Sequence, residues 1–231
     1  MTSFIRSLAT TMTLCTVIFI SICNADETTQ AITDAAFQND LKHLHTFARS
    51  SDGYNRAYSF YRQAQLTFAN PNEQTRSLLQ DAATILKTNN DGESQVLLAA
   101  VYNLIMGASP DRAQTLAPRV ELLLNQGEKS EPATRARALL IKGINRFYTP
   151  PAFGGGTDIA FALLQQAALQ FQENQDNNIQ DSIAWGPVET QIWLGKVEAS
   201  LGNKKQAMHY YQNALAINPN CSWVEFYIKQ L

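Results

Sequence analysis

Charge is scarce in this sequence, and positive charge more so. Charged residues make up 16% of the 231, Asp and Glu outnumber Lys and Arg 20 to 18, and no segment concentrates the basic ones. A protein that neutralises phosphates needs a basic surplus, so no nucleic-acid partner is expected. Cysteine is nearly missing as well. Cys15 and Cys23 fall in the N-terminal apolar segment and only Cys221 lies beyond it. No disulfide can form within the remainder, and core packing must supply its stability. Runs of alternating β-branched residues between turns are absent, which argues against a sheet-based fold. No apolar stretch reaches the roughly 20 residues that span a bilayer comfortably.

The apolar stretch at the start has the layout of a targeting segment. Arg6 supplies the positive flank, Leu14 to Ile22 the apolar run, and Cys23-Asn24-Ala25 places small residues before a cut. Residues 1–25 are expected to be a signal peptide cleaved after Ala25, with an uncleaved anchor as the alternative. The product is then periplasmic or secreted, with no stable membrane insertion after cleavage. Cys15 follows Leu14 and Cys23 follows Ile22. A lipid-modified cysteine would follow a small residue, so a lipoprotein is not expected.

From there on, apolar residues recur at helical spacing almost everywhere. Turn-forming clusters divide the chain into intervals that each fit one helix, at positions such as Ser51-Asp52-Gly53, Asn89 to Gly92, Gly127 to Pro132 and Gly202-Asn203. Asn70 before Pro71, and Ser109 before Pro110, read as N-caps ahead of a first-turn proline. Helices of similar length joined by short loops imply antiparallel neighbours. Pairs that cannot bury their own apolar faces must stack on copies of themselves.

The segment Val188 to Pro219 carries a specific pattern. Leu194-Gly195 stands in its first helix, Leu201-Gly202 at its turn, Ala207, Tyr211 and Ala214 in its second helix, and Pro219 closes it. Small residues at 195, 207 and 214 allow two helices to cross closely, and Tyr211 fills the space between them. This segment resembles the tetratricopeptide repeat, although Gln191 and Glu198 stand where that family commonly has aromatics. Ala136 to Gln172 aligns with Gly143 in the role of Gly195, and with Ala160, Leu164 and Ala167 in those of Ala207, Tyr211 and Ala214. Gly92 to Asn125 aligns on Leu98, Ala99 and Tyr102 with a weak second helix, and Tyr54 to Asn89 only by helix length. The resemblance implies an all-α fold, with antiparallel hairpins stacked as a right-handed solenoid over residues 54–231. Residues 26–53 form an N-terminal helical segment, and Ser222 to Leu231 a capping helix in which Trp223 and Phe226 cover the open end.

Candidate chemistry is thin. The loop Pro150 to Thr157 holds three consecutive glycines, but no strand precedes it and no Gly-Lys-Ser/Thr follows, so it is not a nucleotide cradle. It reads as a turn in which the prolines stop a helix, Phe153 tucks into the core, and Thr157 or Asp158 caps the next helix. Similar Pro-x-x-Phe-Gly-Gly insertions occur in exported bacterial repeat proteins. His43 and His45 point away from each other on a helix, and no metal site or cofactor is expected. His209 reads as a half-buried packing residue, and Cys221 has no partner base. Glu189 and Glu198 lie about 13 Å apart along a helix, too far for paired-carboxylate hydrolysis, and read as solvated or partner-facing charges. Core packing and cap burial explain Trp185, Trp193 and Trp223 better than an aromatic binding surface does.

The resemblance places ligands across the first helices of the hairpins, on the concave face. The inner-face candidates are Glu93 and Asn103, then Arg137, Phe147 and Tyr148, then Glu189, Lys196 and Ser200. The basic and Asn pattern with which some of these domains clamp a chain-terminal carboxylate is not reproduced, since Leu140, Ile144 and Ile192 stand in its place. The expected function is a non-enzymatic scaffold or adaptor that binds a protein or peptide in its groove. The alternative is a small-molecule-binding accessory protein of a transport system, and a hydrolase at the Gly154 loop ranks third.

Overall fold

A computed structural model describes residues 27–231, and within them the chain is all-helical, without a strand. The signal-peptide expectation for residues 1–25 lies outside the described residues. The helices are α1 (27–37), α2 (Leu41–Ser50), α3 (Gly53–Leu66), α4 (Glu73–Leu86), α5 (Gly92–Ala108) and α6 (Ala113–Gly127). They continue with α7 (Pro132–Tyr148), α8 (Thr157–Asp176), α9 (Pro187–Ser200), α10 (Lys204–Ile217) and α11 (Ser222–Ile228). Among the described residues no helix is long and apolar enough to cross a membrane.

Local chemistry sets the helix starts. The Asp91 side chain accepts the backbone N–H of Ser94 at 2.8 Å, and Pro132 and Pro187 take the first positions of α7 and α9, where no N–H is needed. Two expected starts move. Asn72, not Asn70, caps α4, because its side chain reaches the Thr75 N–H at 2.9 Å and leaves Pro71 outside the helix. Pro110 opens a 3₁₀ turn, Pro110–Arg112, and α6 begins only at Ala113, so Ser109 caps no α-helix.

From α2 onward consecutive helices pack on each other, and α3, α5, α7 and α9 also touch in succession as one layer. This arrangement is consistent with an all-α repeat solenoid of four hairpins, α3/α4 to α9/α10, with α11 packed on α10. Two hairpins cross through glycine where the aligned positions require it. A Cβ on Gly195 would lie 2.3 Å from the Tyr211 ring, and one on Gly143 would lie 2.8 Å from Leu164 Cγ. Ala207, Tyr211 and Ala214 are buried in one cluster with Ile192, Cys221 and Val224, and Ala160, Leu164 and Ala167 in the other. Burial pushes the Cys221 thiol up to about 11, so it is a packing residue with little thiolate.

The two ends of the described chain meet. Thr29 of α1 donates to the Ser182 carbonyl at 3.1 Å, Asn218 to Asp34 at 2.9 Å, Ser222 to the Phe37 carbonyl at 2.5 Å, and the Trp223 indole to Asn39 at 3.1 Å. Phe37 is fully buried and meets Trp223 edge to face. The first and last helices are thereby packed together.

The loop 150–156 departs from its expected packing. Phe153 is 78% exposed, because the loop bonds to itself: Phe153 N–H to the Pro150 carbonyl at 2.9 Å, Gly154 N–H to Pro151 at 3.0 Å, and Gly156 N–H to Arg146 at 2.9 Å. This tight turn carries the ring outward. A Cβ on Gly155 would lie 1.9 Å from the Thr149 carbonyl oxygen, so only glycine fits. Since α8 begins at Thr157, Gly156 rather than Thr157 or Asp158 holds the capping position. His209 is exposed rather than half-buried, with its ring against Tyr210.

Candidate functional site

The inner-face candidates separate into two groups, one sealed in the core and one at the surface. Arg137 is fully buried, and its guanidinium is spent on structure. Nε donates to the Trp185 carbonyl at 2.8 Å and Nη1 to Glu93 at 2.7 Å, while Nη2 serves Asp181 and the Ile183 carbonyl. All these acceptors except Glu93 lie in the connection between α8 and α9. The planar fork of Arg pins that irregular segment against α5 and α7, as a lysine could not. Thr134 adds a 2.6 Å bond to the same Glu93 oxygen.

Glu189 is likewise inside. One carboxylate oxygen accepts the Gly186 N–H at 2.9 Å, and the other takes Nη2 of Arg62. Arg62 is buried among the rings of Phe37, Tyr58, Tyr61 and Trp223, 5.0 to 5.9 Å from their centres. Its Nε donates to the Tyr58 hydroxyl at 2.8 Å, and burial pushes that phenol up to about 12. Neither Glu189 nor Glu198 is a solvated charge: both are buried, and Glu198 accepts from Asn203 at 2.7 Å. Arg62, Tyr58 and the connection 177–186 carry no motif, and their role in closing the molecule was not legible from the sequence.

Asn103 and Ser200 are also engaged locally. Asn103 accepts from Asn145 at 2.8 Å, and Ser200 is exposed and turns back to the Val197 carbonyl at 2.6 Å. No partner is drawn to either by the remaining candidates.

Phe147, Tyr148 and Lys196 do come together, and they bring Trp193 and Tyr227 with them. Trp193 and Lys196 stand three residues apart on α9, which places them on one helix face. The Lys196 ammonium lies 3.6 Å from the Trp193 ring centre and 5.0 Å from that of Tyr227 on α11. Phe147 and Tyr148, at the C-terminal end of α7, meet Trp193 edge-on at 5.9 and 5.7 Å. Tyr227 stacks on buried Tyr211 at 6.0 Å and touches Phe226 at 5.4 Å. Tyr148 is 67% exposed and Phe226 58%, so the cluster opens to solvent on rigid helices. Phe226 therefore does not cover the last hairpin, whereas Trp223 packs on the buried cluster of that hairpin and meets Phe37 of α1. Trp193 and Tyr227 belong to this surface although the sequence assigned the first to the core and gave the second no role. The three-residue spacing of Trp193 and Lys196 is the signal that could have found it.

Two recesses lie elsewhere, and both are open to solvent. One of about 660 Å³ sits among α2, α3 and α4, beside Arg49, Phe60 and Leu78, and one of about 330 Å³ lies between α4 and α5. Neither is lined by an inner-face candidate. The Gly154 loop has no titratable side chain between Pro150 and Thr157 with which to perform hydrolysis. Among the described residues no group of three or more His, Cys, Asp or Glu is placed to hold a metal ion. No family model, no curated protein and no solved structure matches this chain.

Proposed function

We propose that this protein is an exported, non-enzymatic, tetratricopeptide-like scaffold that binds a protein or peptide partner. Its contact surface is the aromatic cluster of Phe147, Tyr148, Trp193 and Tyr227 around Lys196. The observation that carries this reading is the exposure of large rings on two helices, α7 and α11. Tyr148 and Phe226 stay in water, at a cost in apolar hydration, beside rings that are half-buried and fixed. Aromatic side chains held rigidly at the surface are the residues that dominate protein interfaces. With Arg137 and Glu189 sealed inside, Phe147, Tyr148 and Lys196 are the part of the inner face that meets the partner in this reading.

The test is quantitative capture from a periplasmic extract with the wild-type chain, with Tyr148→Ser/Phe226→Ser, and with Leu169→Ser on exposed α8 as a control. A partner retained by wild type and by Leu169→Ser, and reduced at least about tenfold by the double variant, is the expected result. Equal capture by all three would end this reading.

A further inference from the structure

Among the described residues, Lys196 is a half-buried lysine without an ion pair. Lys142, similarly half-buried, is held between Glu128 and Glu121. Lys196 makes no ion pair with any of the described residues, and its hydrogen bond is a long one, 3.5 Å to the Tyr227 hydroxyl. An ammonium carries three N–H donors, so two are left without a protein acceptor. Burial alone lowers this lysine to about 8, with no neighbouring carboxylate to draw it back. The faces of Trp193 and Tyr227 compensate in part, since a cation is drawn to the negative face of an aromatic ring.

The geometry also limits the anion. Lys196 is a single point charge with no second cation beside it, which suits one carboxylate better than a phosphate dianion. Rings stand on both sides of it, Trp193 of α9, on which Tyr148 of α7 packs edge-on, and Tyr227 of α11, so the carboxylate that arrives must carry apolar surface on both sides. A side chain in the middle of a segment does this.

We propose that Lys196 is the specificity contact of this surface and takes the carboxylate of an internal Asp or Glu of the partner, flanked by aromatic or aliphatic residues that lie on Tyr148 and Tyr227. This inference rests on the reading of the cluster as the partner-binding surface. The acidic residue supplies the charge that the site lacks, and its apolar neighbours cover the exposed rings.

The experiment uses the whole chain with labelled lysine Nζ and tryptophan indole groups, titrated with two capped probes, acetyl-Phe-Glu-Phe-amide and acetyl-Phe-Gln-Phe-amide. The Glu probe is expected to shift the Lys196 and Trp193 signals and to bind about three- to fivefold tighter than the Gln probe. In Lys196→Gln, and in Lys196→Met as a second variant, that ratio falls to one. Equal binding of the two probes to wild type, with Trp193 shifted by both, overturns the role of Lys196 and leaves the aromatic surface standing. A Glu preference that survives both variants overturns it too, as does a lack of any shift with either probe. In that last case the surface itself is judged by the capture experiment.

Discussion

Gly195 shows how much one residue decides when two helices cross over it. Its place in α9 faces the ring of Tyr211, with the aromatic carbons 2.3 to 3.0 Å from where a Cβ would stand. Tyr211 cannot withdraw freely, because it is buried and stacked on Tyr227. Gly195→Ala is therefore expected to lower stability by about 1 to 3 kcal/mol, an overpacking cost that outweighs the better helix propensity of Ala. Urea denaturation with an unchanged m-value would show it, and a variant as stable as wild type would mean that the crossing is looser than described. The same spacing made this residue legible in the sequence. Arg137 and Lys196 were legible only as inner-face cations. Their separation into a buried clamp and a surface contact depends on where the connection 177–186 lies, and that segment reads as polar punctuation with no pattern to place it.

At the scale of the element, α6 is the anomaly. Pro118 sits inside the helix, exposed, where it removes the N–H that would bond the Gln114 carbonyl and crowds that oxygen. A 3₁₀ turn precedes the helix, and its buried stripe is Leu116, Val120 and Leu124. The sequence accordingly reads this second helix as weak. Pro118→Ala restores the bond without disturbing the stripe, and is expected to stabilise the protein by up to about 3 kcal/mol, seen as a rise in Tm. A fall in Tm would show that the proline is fitted to a bend that the packing needs. Most helices were readable from the sequence, because a period near 3.6 and its breaks are local properties, but the break at 38–40 that divides residues 26–53 into α1 and α2 was not. Helix starts at 70 and 109 were not, since which side chain reaches which N–H depends on the approach of the loop.

For the whole molecule, closure is the main structural event. A stack of hairpins in which each touches only its neighbours can open from either end. Here α1 and α3 are tied to the connection 177–186, α9 and α11, with Arg62 and Glu189 at the centre. Arg62→Met keeps the aromatic packing and leaves Glu189 buried without its cation, a loss of about 3 to 5 kcal/mol. In the wild type, helix content and tryptophan fluorescence are expected to change in one coincident transition, because Trp185 and Trp223 sit at the closure. In Arg62→Met the fluorescence transition is expected to come first, with the helices persisting to higher denaturant. Coincident curves in the variant would show that the ends contribute nothing separable.

The sequence by itself determined the all-helical class, most of the helix breaks and the two glycine crossings. Each follows from spacing within a short stretch of chain, and side chains three, four and seven apart share a face whatever surrounds them. Only the tertiary structure decided that the ends join, that Arg137 and Glu189 are sealed within, that Phe153 points to water, and that Lys196 is left among rings with no acid. Burial and charge balance depend on which distant segments meet, and no local pattern in a single chain records that.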